Sequence, residues 1–148
     1  MAKPGITVEG SEGLIRAFRQ LSDATKGKTL RAATLQAAKP VRDEARRRAP
    51  FRTGRLRNAI GLRSKLLGPT RAEADIGFDR RRAWYGGMVE LGHKLVRGKK
   101  KGTQRVVGHV PAKPYLRPAL DAMAETAEKR MRDALRKGIE RVVRRGGR

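Results

Sequence analysis

The chain has 148 residues, the length of one ordinary domain, and carries 37 lysines and arginines against 14 acids, a formal net charge of +23. A charge of that size repels itself in a compact monomer and points to nucleic acid or an acidic protein surface as neighbour, with the arginine-rich codon bias of a GC-rich genome as the competing source. The absence of cysteine excludes disulfides and thiolate metal sites.

The N-terminal stretch MAKPGITVEGSEG has no apolar core of the kind a signal peptide needs. No apolar run approaches the roughly 20 residues of a membrane span. The expectation is a chain made in a bacterial cytoplasm, without membrane contact. ITVEG (6–10) has the composition of a short strand. Gly10 or Ser11 can cap a first helix with Leu14, Ala17, Phe18 and Leu21 on one face, and TKGK (25–28) is expected to break it. A second helical pattern runs from Thr29 to Arg48, with Leu30, Ala33, Ala37, Val41 and Ala45 forming a narrow, alanine-rich face. Pro40 should kink it, and Pro50 prevents its continuation. Arginines at its end suit the negative pole of the helix dipole.

Thr53-Gly54 reads as a turn, glycine supplying positive φ. From Ala59 to Phe78 the pattern changes to strands. IGLRSKLL and AEADIGF flank GPT, and Ala72, Ala74, Ile76 and Phe78 alternate with Glu73, Asp75, Gly77 and Asp79, which predicts an antiparallel hairpin with one face inward. AWYGGMVELG (83–92) predicts a short helix with Trp84, Met88 and Leu91 on one face and Gly92 as its stop. The pair Gly86-Gly87 implies that something packs closely there. Residues 93–110 are glycine-rich and basic, and read as a long loop or extended hairpin with its tip at GKKKG (98–102). VPAKPYLRPAL (110–120) then places three prolines ahead of a last helix, Leu116 to Val143, striped by Leu116, Leu120, Met123, Ala127, Met131, Leu135 and Val142. The tail 144–148 is expected to be frayed.

Signals for catalysis are poor. His93 and His109 are the only histidines, lie 16 residues apart and have no further ligands nearby, so they read as ordinary polar residues. Glu73, Asp75 and Asp79 fall on the solvent face of a strand, free to pair with Arg80, Arg81 and Arg82 or a neighbouring subunit. No phosphate-binding loop is present. The sequence assigns no catalytic residue, cofactor or metal ligand, and a small hydrolase has no constellation behind it. Glu90 lies among apolar neighbours and, if partly buried, should need an arginine partner. Three basic clusters stand out: Arg42 to Arg57, Lys94 to Arg105, and Arg136 to Arg148. In the second, Lys94, Arg97, Lys99, Lys100, Lys101 and Arg105 occur with no acid between them. With almost no aromatics interleaved, these clusters suit phosphate contact without base reading.

Three landmarks carry a resemblance. RRAPFRTGRLRNAI (47–60) offers Pro50, Thr53, Gly54 and Leu56. WYGGMVELGH (84–93) offers Tyr85, Glu90 and Gly92. VPAKPYLRPAL (110–120) offers Pro111, Pro114, Tyr115, Leu116, Arg117 and Pro118. In this order they resemble the neck or tail-completion (head–tail joining) proteins of long-tailed bacteriophages, including the lambda Z-type minor tail proteins. One departure is Gly86, where the family pattern has alanine after the tyrosine.

The resemblance implies a single α+β domain over 1–148: N-terminal helices, a small antiparallel sheet with a long basic loop at 93–110, and a long C-terminal helix. It implies a structural virion protein, not an enzyme, at the head–tail junction. Such a protein forms a homo-oligomeric, sixfold ring and contacts connector or head-closure proteins and tail-terminator or tail-tube proteins. The basic residues of the loop or of the last helix would face the DNA channel, in non-specific contact with double-stranded DNA, or an acidic neighbouring ring. The runner-up reading is a basic protein that binds nucleic acid non-specifically. It explains the charge but not the landmarks. Within the joining reading, Pro111, Pro114 and Pro118 hold an extended strap at low ordering entropy, with Tyr115 and Leu116 as its anchors. Pro118 falls in the first helical turn, where a missing donor costs little. The strap either sets the angle at which subunits meet or merely closes its own domain.

Overall fold

A computed structural model of the chain describes residues 12–98, 102 and 104–146. The elements in order are α1 (Glu12–Arg19), α2 (Asp23–Arg48), α3 (Arg55–Ala59), β1 (Ile60–Gly68), β2 (Arg71–Phe78), α4 (Gly86–Leu91), β3 (His93–Arg97), β4 (Arg105–Val110) and α5 (Leu116–Gly146). The fold is α+β, with two separate two-stranded antiparallel sheets, β1–β2 and β3–β4. The expected strand at 6–10, the cap at Gly10 or Ser11, the tip residues Lys99–Lys101 and the last two tail residues lie outside the described residues.

α2 is the axis of the fold. It packs along α5 on one side and against β1 and β2 on the other. Its alanines make that double contact possible: Ala33, Ala38 and Ala45 are buried together with Val41. The two long helices run antiparallel. Thr29, early in α2, lies so close to Gly138, late in α5, that a Cβ on the glycine would sit 2.6 Å from the threonine methyl. At the other end, Ala45 of α2 shares a cluster with Ala119 of α5. That cluster also holds Ala49, Leu56, Ala59, Ile60, Ala83 and Tyr115, and Ile76, Phe78, Tyr85, Val89 and Leu116 pack against it.

Several boundaries differ from expectation. TKGK does not break a helix: α2 begins at Asp23, after an extended Ser22, and the chain turns at residues 20–22 instead. Gly27 sits inside α2 because it is buried against Leu66 of β1, where a Cβ would come within 3.3 Å of the leucine. Tertiary packing there outweighs glycine's poor helix propensity. As its pattern predicts, α2 runs on through Pro40, which is buried. It ends where Ala49 turns extended (φ −57°, ψ 133°) ahead of Pro50, as the residue before a proline must. Gly54 takes φ 74° and starts a short helix, α3, where the sequence offered only a turn ahead of the strands.

The β1–β2 hairpin pairs Ile60 with Phe78 and Leu62 with Ile76, joined through Pro69-Thr70. β3 and β4 also pair antiparallel, His93 with Val110, Lys94 with His109 and Arg97 with Arg105, with an irregularity between Leu95 and Val96.

Candidate functional site

The last two landmarks meet at one place. α4 carries Glu90 on its final turn, and the carboxylate points at the start of α5. It accepts the backbone N–H of Tyr115 at 2.7 Å and of Leu116 at 3.0 Å on one oxygen, and that of Arg117 at 3.2 Å on the other. The first amides of a helix have no partner within it. Here a side chain 25 residues upstream supplies one, and its negative charge meets the positive pole of α5. Pro118, next in line, has no N–H to satisfy. Glu90 is thus paired, but by helix amides and not by the arginine expected from sequence.

The strap between β4 and α5 is fixed by two more contacts. Lys113 donates its backbone N–H to the Val89 carbonyl at 2.8 Å. The Tyr115 hydroxyl, on a fully buried ring, donates to the Gly86 carbonyl at 3.3 Å. Burial above all, and then the charge of Glu90, push the Tyr115 hydroxyl's pKa well above its ordinary value of 10. Gly92 turns the chain out of α4 at φ 72°, and a Cβ on it would fall 2.7 Å from the Val110 carbonyl oxygen. Only glycine meets both conditions. Pro111 and Pro114 are exposed, as is Arg117.

The departure at Gly86 has a local cause. A Cβ there would lie 2.7–2.9 Å from three ring atoms of Phe78. The phenylalanine of β2 fills the space an alanine methyl would need. The glycine pair therefore marks a close approach, as the sequence implied. The helix face expected from Trp84, Met88 and Leu91 is, however, the outer one: they are 68, 40 and 79% exposed, while Tyr85 and Val89 pack inward.

The first landmark lies apart from the last two hydrogen-bonding partners but in the same core. Leu56 is buried, Thr53 is exposed, and Phe51 lies beneath the Arg57 guanidinium at 5.1 Å. Much of the basic cluster 42–57 is used internally. Arg46 donates twice to the Ile60 carbonyl at 3.0 and 2.7 Å, and Arg57 donates to that of Ala49 at 2.8 Å. Arg47 and Arg48 clamp the buried Glu44. Burial alone would raise its pKa, but hydrogen bonds and charge from Arg48 and Arg47 hold it below the ordinary 4.5. None of these roles is visible in a run of arginines, because each partner is set by tertiary packing.

The second and third clusters are different. Lys94, Arg97 and Arg105 stand exposed on β3 and β4, and Arg136, Lys137, Arg141, Arg144 and Arg145 are exposed along the end of α5. Lys99, Lys100 and Lys101 lie outside the described residues. Among the described residues no group of acids and histidines is arranged to hold a metal ion.

The α+β fold thus carries a strap held by a Glu-x-Gly turn and, beside it, an exposed basic hairpin. Residues 12–117 match the family model described as "Bacteriophage HK97-gp10, putative tail-component". The match spans most of the chain and all but the end of the third landmark, and the chain belongs to this HK97-gp10-like family of bacteriophage tail components. Its place is accordingly in the virion, among other phage structural proteins. Searches of curated proteins and of solved structures returned no match.

Proposed function

We propose that the chain completes the head-proximal end of a phage tail and joins it to the DNA-filled head, in the manner of the lambda Z-type minor tail proteins. In this reading it works as a homo-oligomeric ring, sixfold by resemblance, around the DNA channel. Its partners are connector or head-closure proteins on one side and tail-terminator or tail-tube proteins on the other. Its role is structural, and assembly takes place in the host cytoplasm.

The observation that carries the proposal, beside the family, is where the unbalanced charge sits. Arginines of the 42–57 cluster are largely committed to carbonyls and to Glu44, whereas those of the β3–β4 hairpin and the end of α5 face outward. A ring of such surfaces suits a DNA channel or an acidic neighbouring ring, and the contact needs no base reading. The landmark residues Pro50, Thr53, Gly54, Leu56, Tyr85, Glu90, Gly92, Pro111, Pro114, Tyr115, Leu116, Arg117 and Pro118 would then set the shape of the subunit that enters the ring.

Electron microscopy of lysates from a phage lacking the gene tests this. Filled heads separated from finished tails, or joined particles unable to infect, are expected. Normal infectious particles would overturn the joining role and leave non-specific nucleic-acid binding as the function of the charge.

A further inference from the structure

The β3–β4 hairpin is incomplete by itself. Among the described residues it has only two strands, with no third strand on either edge, and no other element packs on it substantially. An isolated two-stranded hairpin is marginal in water. This one exposes Leu95, Val96, Val106 and Val107, each between 44 and 59% accessible. It also sets Arg97 directly opposite Arg105, a like-charge pair that weakens the hairpin until an anion faces it. DNA would answer the arginines but not the apolar side chains. The matching surface is a protein face that is both acidic and able to cover valine and leucine.

The chain carries one such face. Residues 118–128 of α5 contain Asp121, Glu125 and Glu128 and no basic residue. Asp121, Ala122, Glu125 and Thr126 are exposed. The other acid-rich stretch is spoken for: Glu73 pairs with Arg71, Asp75 with Lys65 and Asp79 with Arg82. Glu128 pairs with Arg132. Asp121 and Glu125 have no ion pair among the described residues.

We propose that the β3–β4 hairpin of one protomer docks on the N-terminal half of α5 of the next copy, with Arg97 and Arg105 facing Asp121 and Glu125 and Leu95, two residues from Arg97 and so on the same face of the ribbon, covering Ala122 and Thr126. This rests on the ring reading above and names its contact: Arg97 and Arg105 then serve between subunits, and the exposed basic end of α5 is left for the DNA channel or a neighbouring ring. The two patches differ, so the contact is heterologous, and repeating it builds a closed ring when the rotation closes. It also gives a strongly positive chain a local attraction with which to offset its self-repulsion.

The cysteine-free sequence makes the test direct. Phage carrying Leu95→Cys with Ala122→Cys, both exposed, should yield particles in which oxidation links this protein into a ladder of multimers. Charge reversal supplies a second readout. Asp121→Arg with Glu125→Arg should lower infectious titre at least about tenfold. Adding Arg97→Glu with Arg105→Glu should restore most of it. Protein present in particles with no ladder and no rescue overturns the docking while leaving the joining role intact. Absence of the unmodified protein from normal particles overturns both.

Discussion

Replacing Glu90 by alanine removes the acceptor for three backbone amides at 2.7, 3.0 and 3.2 Å and creates none in its place. A hydrogen bond to a charged group contributes about 1.5–3 kcal/mol net, and a buried donor left alone costs about as much. The Arg117 amide is exposed and regains water, so the other two bonds dominate. Loss of the favourable end charge of α5 adds about 0.3–1 kcal/mol. The sum is about 3–7 kcal/mol, which for a chain of this size lowers Tm by roughly 6–28 °C. Glu90→Gln keeps one acceptor oxygen but no charge and should lose roughly half as much. Thermal and urea unfolding followed by circular dichroism at neutral pH reads both variants. Glu73→Gln, which breaks only an exposed pair with Arg71, is the control and should move stability by less than about 0.5 kcal/mol. An alanine variant that unfolds within about 1 °C of the unmodified chain would show that the carboxylate does not hold the helix.

Gly86→Ala should destabilise by about 1–3 kcal/mol through its clash with the Phe78 ring, and Phe78→Leu in the same chain should recover part of the loss; equal stability of single and double variants in urea would refute the contact. Tyr115 holds its proton more tightly folded than unfolded, so its contribution is complete below about pH 10 and is lost as pH rises further. Tyr115→Phe should therefore flatten the decline of stability between about pH 10 and 11.5, measured by urea titration, whatever lysine neutralisation does to both chains. Glu44 behaves in the opposite sense: its lowered pKa gives stability that is present above pH 4.5 and lost as pH falls through the folded value. Glu44→Gln should be less stable than the unmodified chain at pH 6 and converge with it in acid; parallel curves would rule the clamp out.

What the sequence made legible is what local chemistry decides. The alternation of Ala72, Ala74, Ile76 and Phe78 around a Gly-Pro-Thr turn is enough to define the β1–β2 hairpin. Gly54 and Gly92 announce their turns because positive φ belongs to glycine. Gly86-Gly87 announces a close neighbour, though not that the neighbour is Phe78. What stayed hidden depends on distant partners. Glu90 invited an arginine, since nothing in the chain says that a helix beginning 26 residues later will present its amides. Gly27 looked like a break because Leu66 is what makes it tolerable inside α2. The apolar periodicity of Trp84, Met88 and Leu91 was real, but periodicity does not say which side of a short helix faces the core.

The contacts around Glu90 also fix the two feet of the β3–β4 hairpin. Leu91 and Gly92 leave from the end of α4, and Val110 and Pro111 return onto it, held by the Gly92 approach and the bond from Lys113 to Val89. The hairpin is therefore a tool clamped in a handle. Its stem is set by the clamp and not by what the strands carry, so residues 94–109 can be lengthened, shortened or recharged while the body folds unchanged. A phage that changes the proteins packed around this tail component has, in this segment, a place to alter fit without redesigning the subunit.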